Sequence, residues 1–178
     1  MPSIIQGLSF FDHPTTVSVQ GQPIRIFPWQ IVLWVSVAPK GLVDLGPSAL
    51  RLLAVLDIGF NHNFLIQEQH LTQWAGLDPK SLRKLGSLPV HGQQVPLLNA
   101  NIWLHYNRPG SRDEFAEAAA WQWEMDAGIA VCPPELGGFP RLPLIGLRAV
   151  QLAGLHVAID GSKSQVSIRT RRRLLIFD

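Results

Sequence analysis

The sequence predicts an all-β fold, a barrel or sandwich with one or two short helices. Three observations carry this. Apolar runs are short, and 14 prolines and 15 glycines punctuate them. Several runs alternate with period two, and others are apolar throughout at strand length. Hydrophobic residues make up 47% of the chain against 16% charged, enough for a packed core in 178 residues and unlike a disordered chain.

Taken in order, "TTVSVQGQPIRIF" reads as a hairpin, with Val17 and Val19 before a Gly21 turn and Ile24 and Ile26 after it. "WQIVLWVSVAP" is rich in β-branched and aromatic residues and reads as a half-buried strand. "KGLVDLGPSAL" is a loop into "RLLAVLDIGF", whose unbroken apolar run implies burial on both faces. A short helix is expected over "IQEQHLTQWAGL", ended by Gly76. "SLPVHGQQVPLLNANIWLHYN" predicts two strands around a turn at His91, Gly92 and Gln93. A second helix is expected within residues 111–128, with Ser111 as N-cap and acidic residues in the first turn; its end, "WQWEMDAGIAV", also fits a strand. "PLIGLRAVQLAG" predicts a strand end, a glycine turn and a short helix closed by Gly154. "LHVAIDGSKSQVSIRT" predicts a hairpin turning at Asp160-Gly161.

Several chemistries lack their motifs. Walker A, GxGxxG, HExxH, CxxC and GxSxG patterns are all missing, and six scattered histidines have no ligand spacing, so neither a metal nor a cofactor is expected. The basic excess is one cluster, Arg169 and Arg171–Arg173, without interleaved aromatics, which argues against nucleic acid. No apolar run is long enough to span a bilayer, and no leader pattern follows Met1. The single cysteine, Cys132, excludes an internal disulfide and makes a cytoplasmic setting the expectation. It reads as a small buried apolar residue rather than a nucleophile.

One carboxylate remains. In "AVLDIGFNHNFL", Asp57 follows a buried apolar run and precedes Gly59. On those residues alone, a strand-exit turn is the commoner reading. About ninety residues downstream, "LIGLRAVQLAG" supplies a hydrophobic pair, a glycine and a short helix ending in glycine.

With these two segments, the chain resembles the retropepsin-like aspartic proteases from about Gln30 to Ile168. "AVLDIGF" matches the active-site signature, with Asp57 and Gly59 in register, and Ile145, Gly146 and Gly154 match the second signature. The resemblance implies a closed acid-protease barrel active as a symmetric dimer. It makes Asp57 the catalytic residue in a loop with Ile58 and Gly59, and Ile145, Gly146 and Arg148 the supporting motif. Phe60 and Asn61 would line the substrate cleft, and His91, Gly92 and Gln93 would tip a flap, though an ordinary surface hairpin fits those residues equally well. The implied domain spans residues 29–178, after an N-terminal extension of residues 1–28. The implied partners are a peptide or protein substrate and a second copy of the chain.

Three departures stand out. Ile58 replaces the Thr or Ser whose hydroxyl ties the two loops across the family's dimer. Phe60 replaces a small residue. Leu147 stands where an arginine is common, with Arg148 one place later. Ile58 favours an alternative, a catalytically weak or inactive binding or dimerisation module on the same fold.

Overall fold

The computed structural model describes residues 2–116, 120–137 and 139–170. In chain order its elements are β1 (Ser3–Ser9), β2 (Thr15–Val19), β3 (Gln22–Ile26), β4 (Val32–Pro39), β5 (Leu52–Asp57) and β6 (Phe64–Gln67), then α1 (Glu68–Gln73). There follow β7 (Lys84–Val90), β8 (Gln93–Leu98), β9 (Ala100–Leu104), β10 (Trp121–Trp123), β11 (Ile129–Cys132), β12 (Leu144–Gly146), α2 (Leu147–Leu152), β13 (Leu155–Asp160) and β14 (Gln165–Thr170). Strands dominate, as the short apolar runs require, and neither helix is long enough to cross a membrane.

The main sheet has nine strands in the order β10-β9-β4-β5-β12-β6-β11-β8-β7. Its ladder has two ends, so among the described residues it does not close into the expected barrel. Its buried residues fall into a large apolar cluster and a smaller one. β5 lies near its middle, between β4 and β12, and Leu52 to Leu56 are all buried, as the unbroken apolar run requires.

Two hairpins turn where expected. Gln20-Gly21 and His91-Gly92 all take positive φ, the backbone that a two-residue turn needs to follow the strands' right-handed twist. α1 forms and ends before Gly76, and α2 lies between Gly146 and Gly154. The stretch around the second hairpin holds three strands rather than two, because Asn99 separates β8 from β9. The last hairpin turns through four residues, with Asp160 Oδ1 accepting from the backbone N–H groups of Ser162 and Lys163.

The helix expected within 111–128 does not form among its described residues. Ser111 Oγ does accept from the Glu114 N–H, as an N-cap would. The chain then doubles back: Arg108 N–H donates to Glu114 O, and Ala116 N–H donates to Tyr106 O. β10 pairs with β9, placing Trp123 in the core with its indole N–H on Ala149 O. Burying that ring outweighs the alanines' helix propensity. Residues 117–119 and the tail 171–178 lie outside the described residues.

Residues 3–26, expected as an extension, pack into the same core. β1 pairs with β14, and Ile4, Ile5, Leu8, Phe11, Val19 and Ile26 join the main apolar cluster.

Candidate active site

Asp57 ends β5 half-buried, and everything around it follows from one strand pairing. β12 runs parallel to β5 with Ile145 opposite Leu56 and Gly146 opposite Asp57. β6 then pairs antiparallel with β12, Phe64 opposite Ile145. The chain from Asp57 to Phe64 therefore makes a tight loop across the end of β12. Two backbone bonds hold it there: Gly146 N–H donates to Asn63 O at 2.9 Å and Leu147 N–H to Phe60 O at 3.1 Å.

Gly146 is a steric requirement of this crossing. Its φ of −91° suits any residue, but a Cβ would sit 1.9 Å from His62 O and 2.5 Å from Phe60 O. Ile145, wholly buried, anchors the strand behind it.

The loop aims the carboxylate. Gly59 N–H donates to Asp57 Oδ1 at 2.9 Å, and Phe60 N–H to Asp57 O at 3.1 Å. Among the described residues Asp57 has no ion pair, and Oδ2 has no hydrogen-bond donor. One carboxylate oxygen is thus fixed by the backbone while the other remains available to water or a substrate.

Ile58 projects outward, 63% exposed, and Leu147 on the paired segment is 49% exposed. Two large apolar side chains are thus exposed in the segments that carry Asp57 and its strand partner Gly146. Phe60 turns inward, edge-on to His62, and packs on a second apolar cluster of Leu65, Val90, Val95, Ala130 and Cys132. Val90 and Val95 lie just behind the tip of the β7–β8 hairpin, so Phe60 and the hairpin share one support. At the tip His91 and Gly92 are exposed, and Gln93 is half-buried with Oε1 enclosed and unbonded.

Asn61 and Arg148 border a different recess. With Leu147, Gln151 and Leu152 they line a shallow groove of about 450 Å³. Arg148 has no ion pair among the described residues, and it also borders a cavity of about 210 Å³ with His62, Asn63 and Leu88. Cys132 is buried, its thiol pushed up to about 12 by desolvation, which leaves no thiolate for nucleophilic chemistry.

The expected residues thus divide. Asp57, Ile58, Gly59, Ile145 and Gly146 form one bonded unit with Phe60 and Asn61 following directly. Arg148 borders this unit, and the hairpin meets it through Val90 and Val95, just behind its tip. Sequence reasoning missed Asn63 and the carbonyls of Phe60 and His62. They act through backbone atoms, which residue identity does not reveal. No family model, curated protein or solved structure matches the chain.

Proposed function

We propose that the protein is a homodimeric aspartic peptidase with a retropepsin-like fold, in which Asp57 of each copy activates the attacking water. The observation that carries this reading is the backbone-held carboxylate: Oδ1 bonded to Gly59 N–H, in a loop fastened to Gly146. A turn residue needs no such fastening ninety residues away.

Peptide hydrolysis by carboxylates takes two of them sharing one proton. One accepts a proton from water, and the other, protonated, donates a hydrogen bond to the scissile carbonyl. Two carboxylates that close cannot both ionise readily, so they titrate as a pair. Neither of the other two Asp-x-Gly segments follows a fully buried strand: Asp44-Leu45-Gly46 comes after an exposed loop, and Asp126-Ala127-Gly128 is a turn closed by Gly128 N–H on Met125 O. The second carboxylate therefore comes from a second copy across a two-fold axis. The substrate is an extended peptide under the β7–β8 hairpin, and the lone buried thiol suits a reducing, cytoplasmic setting.

Ile58 supports a second reading, a retropepsin-like module that binds or dimerises without cutting. A peptide library incubated with wild type and with Asp57→Asn separates the two. Cleavage by wild type alone is expected; equal cleavage by both, or none by either from mildly acidic to neutral pH, overturns the peptidase. Ile58→Thr restores the hydroxyl that would bond across the axis. At about 1 kcal/mol for each of two symmetric bonds, roughly thirty-fold tighter dimerisation and faster turnover are expected. Sedimentation and steady-state rates measure both.

A further inference from the structure

β13 is the one unguarded edge of the two larger sheets among the described residues. In the order β1-β14-β13 it has a partner on one side only. Its ladder with β14 is regular across all six residues, Leu155 opposite Thr170 through Asp160 opposite Gln165. The other edges carry the usual protections against pairing. β7 holds Lys84, Pro89 and a register shift between Lys84 and Gly86. β1 is interrupted twice by irregular register, and β10 has three residues. β13, with the sequence LHVAID, has no proline, lysine, arginine or bulge.

The residues of this edge complement themselves. His156, Ala158, Ile159 and Asp160 are exposed, and Val157 is half-exposed. Antiparallel pairs alternate between hydrogen-bonded and not, so a two-fold axis relating two identical strands must fall on a residue. Centred on Ala158, His156 of each copy faces Asp160 of the other, Val157 faces Ile159, and the smallest side chain faces itself. No other centre within the strand places its two polar groups opposite each other. Asp160 is suited to accept: hydrogen bonds from Ser162 and Lys163 hold its carboxyl below the usual carboxylate range. An imidazole N–H donating to it across the strands is a favourable pair.

We propose that β13 pairs antiparallel with β13 of a second copy about an axis at Ala158, forming a continuous six-stranded sheet. Its functional consequence rests on the two-copy site proposed above. α2, six residues and so roughly 9 Å long, is all that separates Gly146, opposite Asp57, from the turn into β13. Leu147 and Leu152 are exposed apolar residues of α2 itself, and Ile58 and Ile159 are exposed in the segments on either side of it. Pairing at β13 covers apolar surface and brings the two loops toward one axis.

Disulfide trapping tests the register in the full chain. Ala158→Cys places two thiols on Cα atoms about 5 Å apart, within disulfide range. His156→Cys places them about 14 Å apart, since they are offset by four residues along the strand. Mild oxidation is expected to link most Ala158→Cys chains as dimers on a non-reducing gel and to leave wild type and His156→Cys unlinked. His156→Asp sets two carboxylates opposite each other and should weaken the dimer at least ten-fold by sedimentation, while His156→Lys preserves it. The proposal is overturned if Ala158→Cys does not link, if His156→Cys links equally well, or if His156→Asp dimerises like wild type. Linking without Asp57-dependent cleavage leaves the pairing intact and removes the peptidase; Asp57-dependent cleavage without linking does the reverse.

Discussion

Gly146→Ala should cost the fold about 4 kcal/mol or more, with most of the expressed chain failing to reach a native state. The new methyl carbon would sit 1.9 Å from His62 O and 2.5 Å from Phe60 O, where carbon–oxygen contacts settle at about 3.3 Å. Flexible side chains yield to such crowding at about 1–3 kcal/mol. Here both obstructing atoms are backbone, in a loop bonded on either side of them through Phe60 O and Asn63 O. Relief would require breaking those bonds and parting β12 from β5, which runs through the centre of the sheet. Against a typical total of about 5–15 kcal/mol, that loss is disabling. Gly59→Ala is the control, because its methyl would meet only Asp57 Oδ1, at 3.3 Å. It should stay within about 1 kcal/mol of wild type in a urea titration. If both variants unfold at the wild-type midpoint, the loop is not fastened as described.

That contrast also marks what was legible in the sequence. "LLAVL" announced a doubly buried strand because five apolar residues in succession leave no face for water, and β5 is buried throughout. "QG" and "HG" announced tight turns because both residues must take positive φ, and all four do. Asp57, Gly59 and Gly146 could be picked out because side-chain identity, or its absence, is their contribution. The loop's fastening could not: Phe60, His62 and Asn63 contribute carbonyls that any residue possesses. Long-range pairing was equally hidden. Nothing local in β1 specifies β14 as its neighbour, and residues 111–128 suggested a helix until β9 offered Trp123 a place in the core. Local propensity lost there to burial that depends on a strand twenty residues earlier.

Two buried histidines should make the protein acid-labile well before its carboxylates are protonated. His70 lies flat on Trp74 with ring centroids 3.7 Å apart, and its Nδ1 is enclosed without a hydrogen-bond partner. His105 Nε2 lies 2.8 Å from Ser36 Oγ, whose own proton goes to Leu50 O, so the imidazole donates. Desolvation holds each ring neutral down to about 4, against an ordinary value of 6.5, and the positive charge of Arg51 adds to this at His105. As pH falls below 6.5 the unfolded chain binds protons that the folded chain refuses. Stability then drops by about 1.4 kcal/mol per pH unit per ring until about pH 4. The whole interval amounts to about 3 kcal/mol per ring, trimmed toward about 2 by the water that reaches the ring edges. Both rings together remove a large part of a typical folding free energy, so acid unfolding is expected between about pH 5 and 4. Urea titrations from pH 7.5 to 4.5 measure the slope directly, and a flat profile would mean that the rings are charged or solvated. His70→Phe keeps the stack on Trp74 without a titrating group and should remove about half the slope. This bears on the proposed peptidase, because a carboxylate pair sharing one proton would invite an acidic optimum that the fold would not survive. Peptide cleavage should therefore fall on the acid side together with the loss of native tryptophan fluorescence. In His70→Phe both losses should move to lower pH in step. An acid limb that stays in place while the unfolding transition shifts belongs instead to the Asp57 pair.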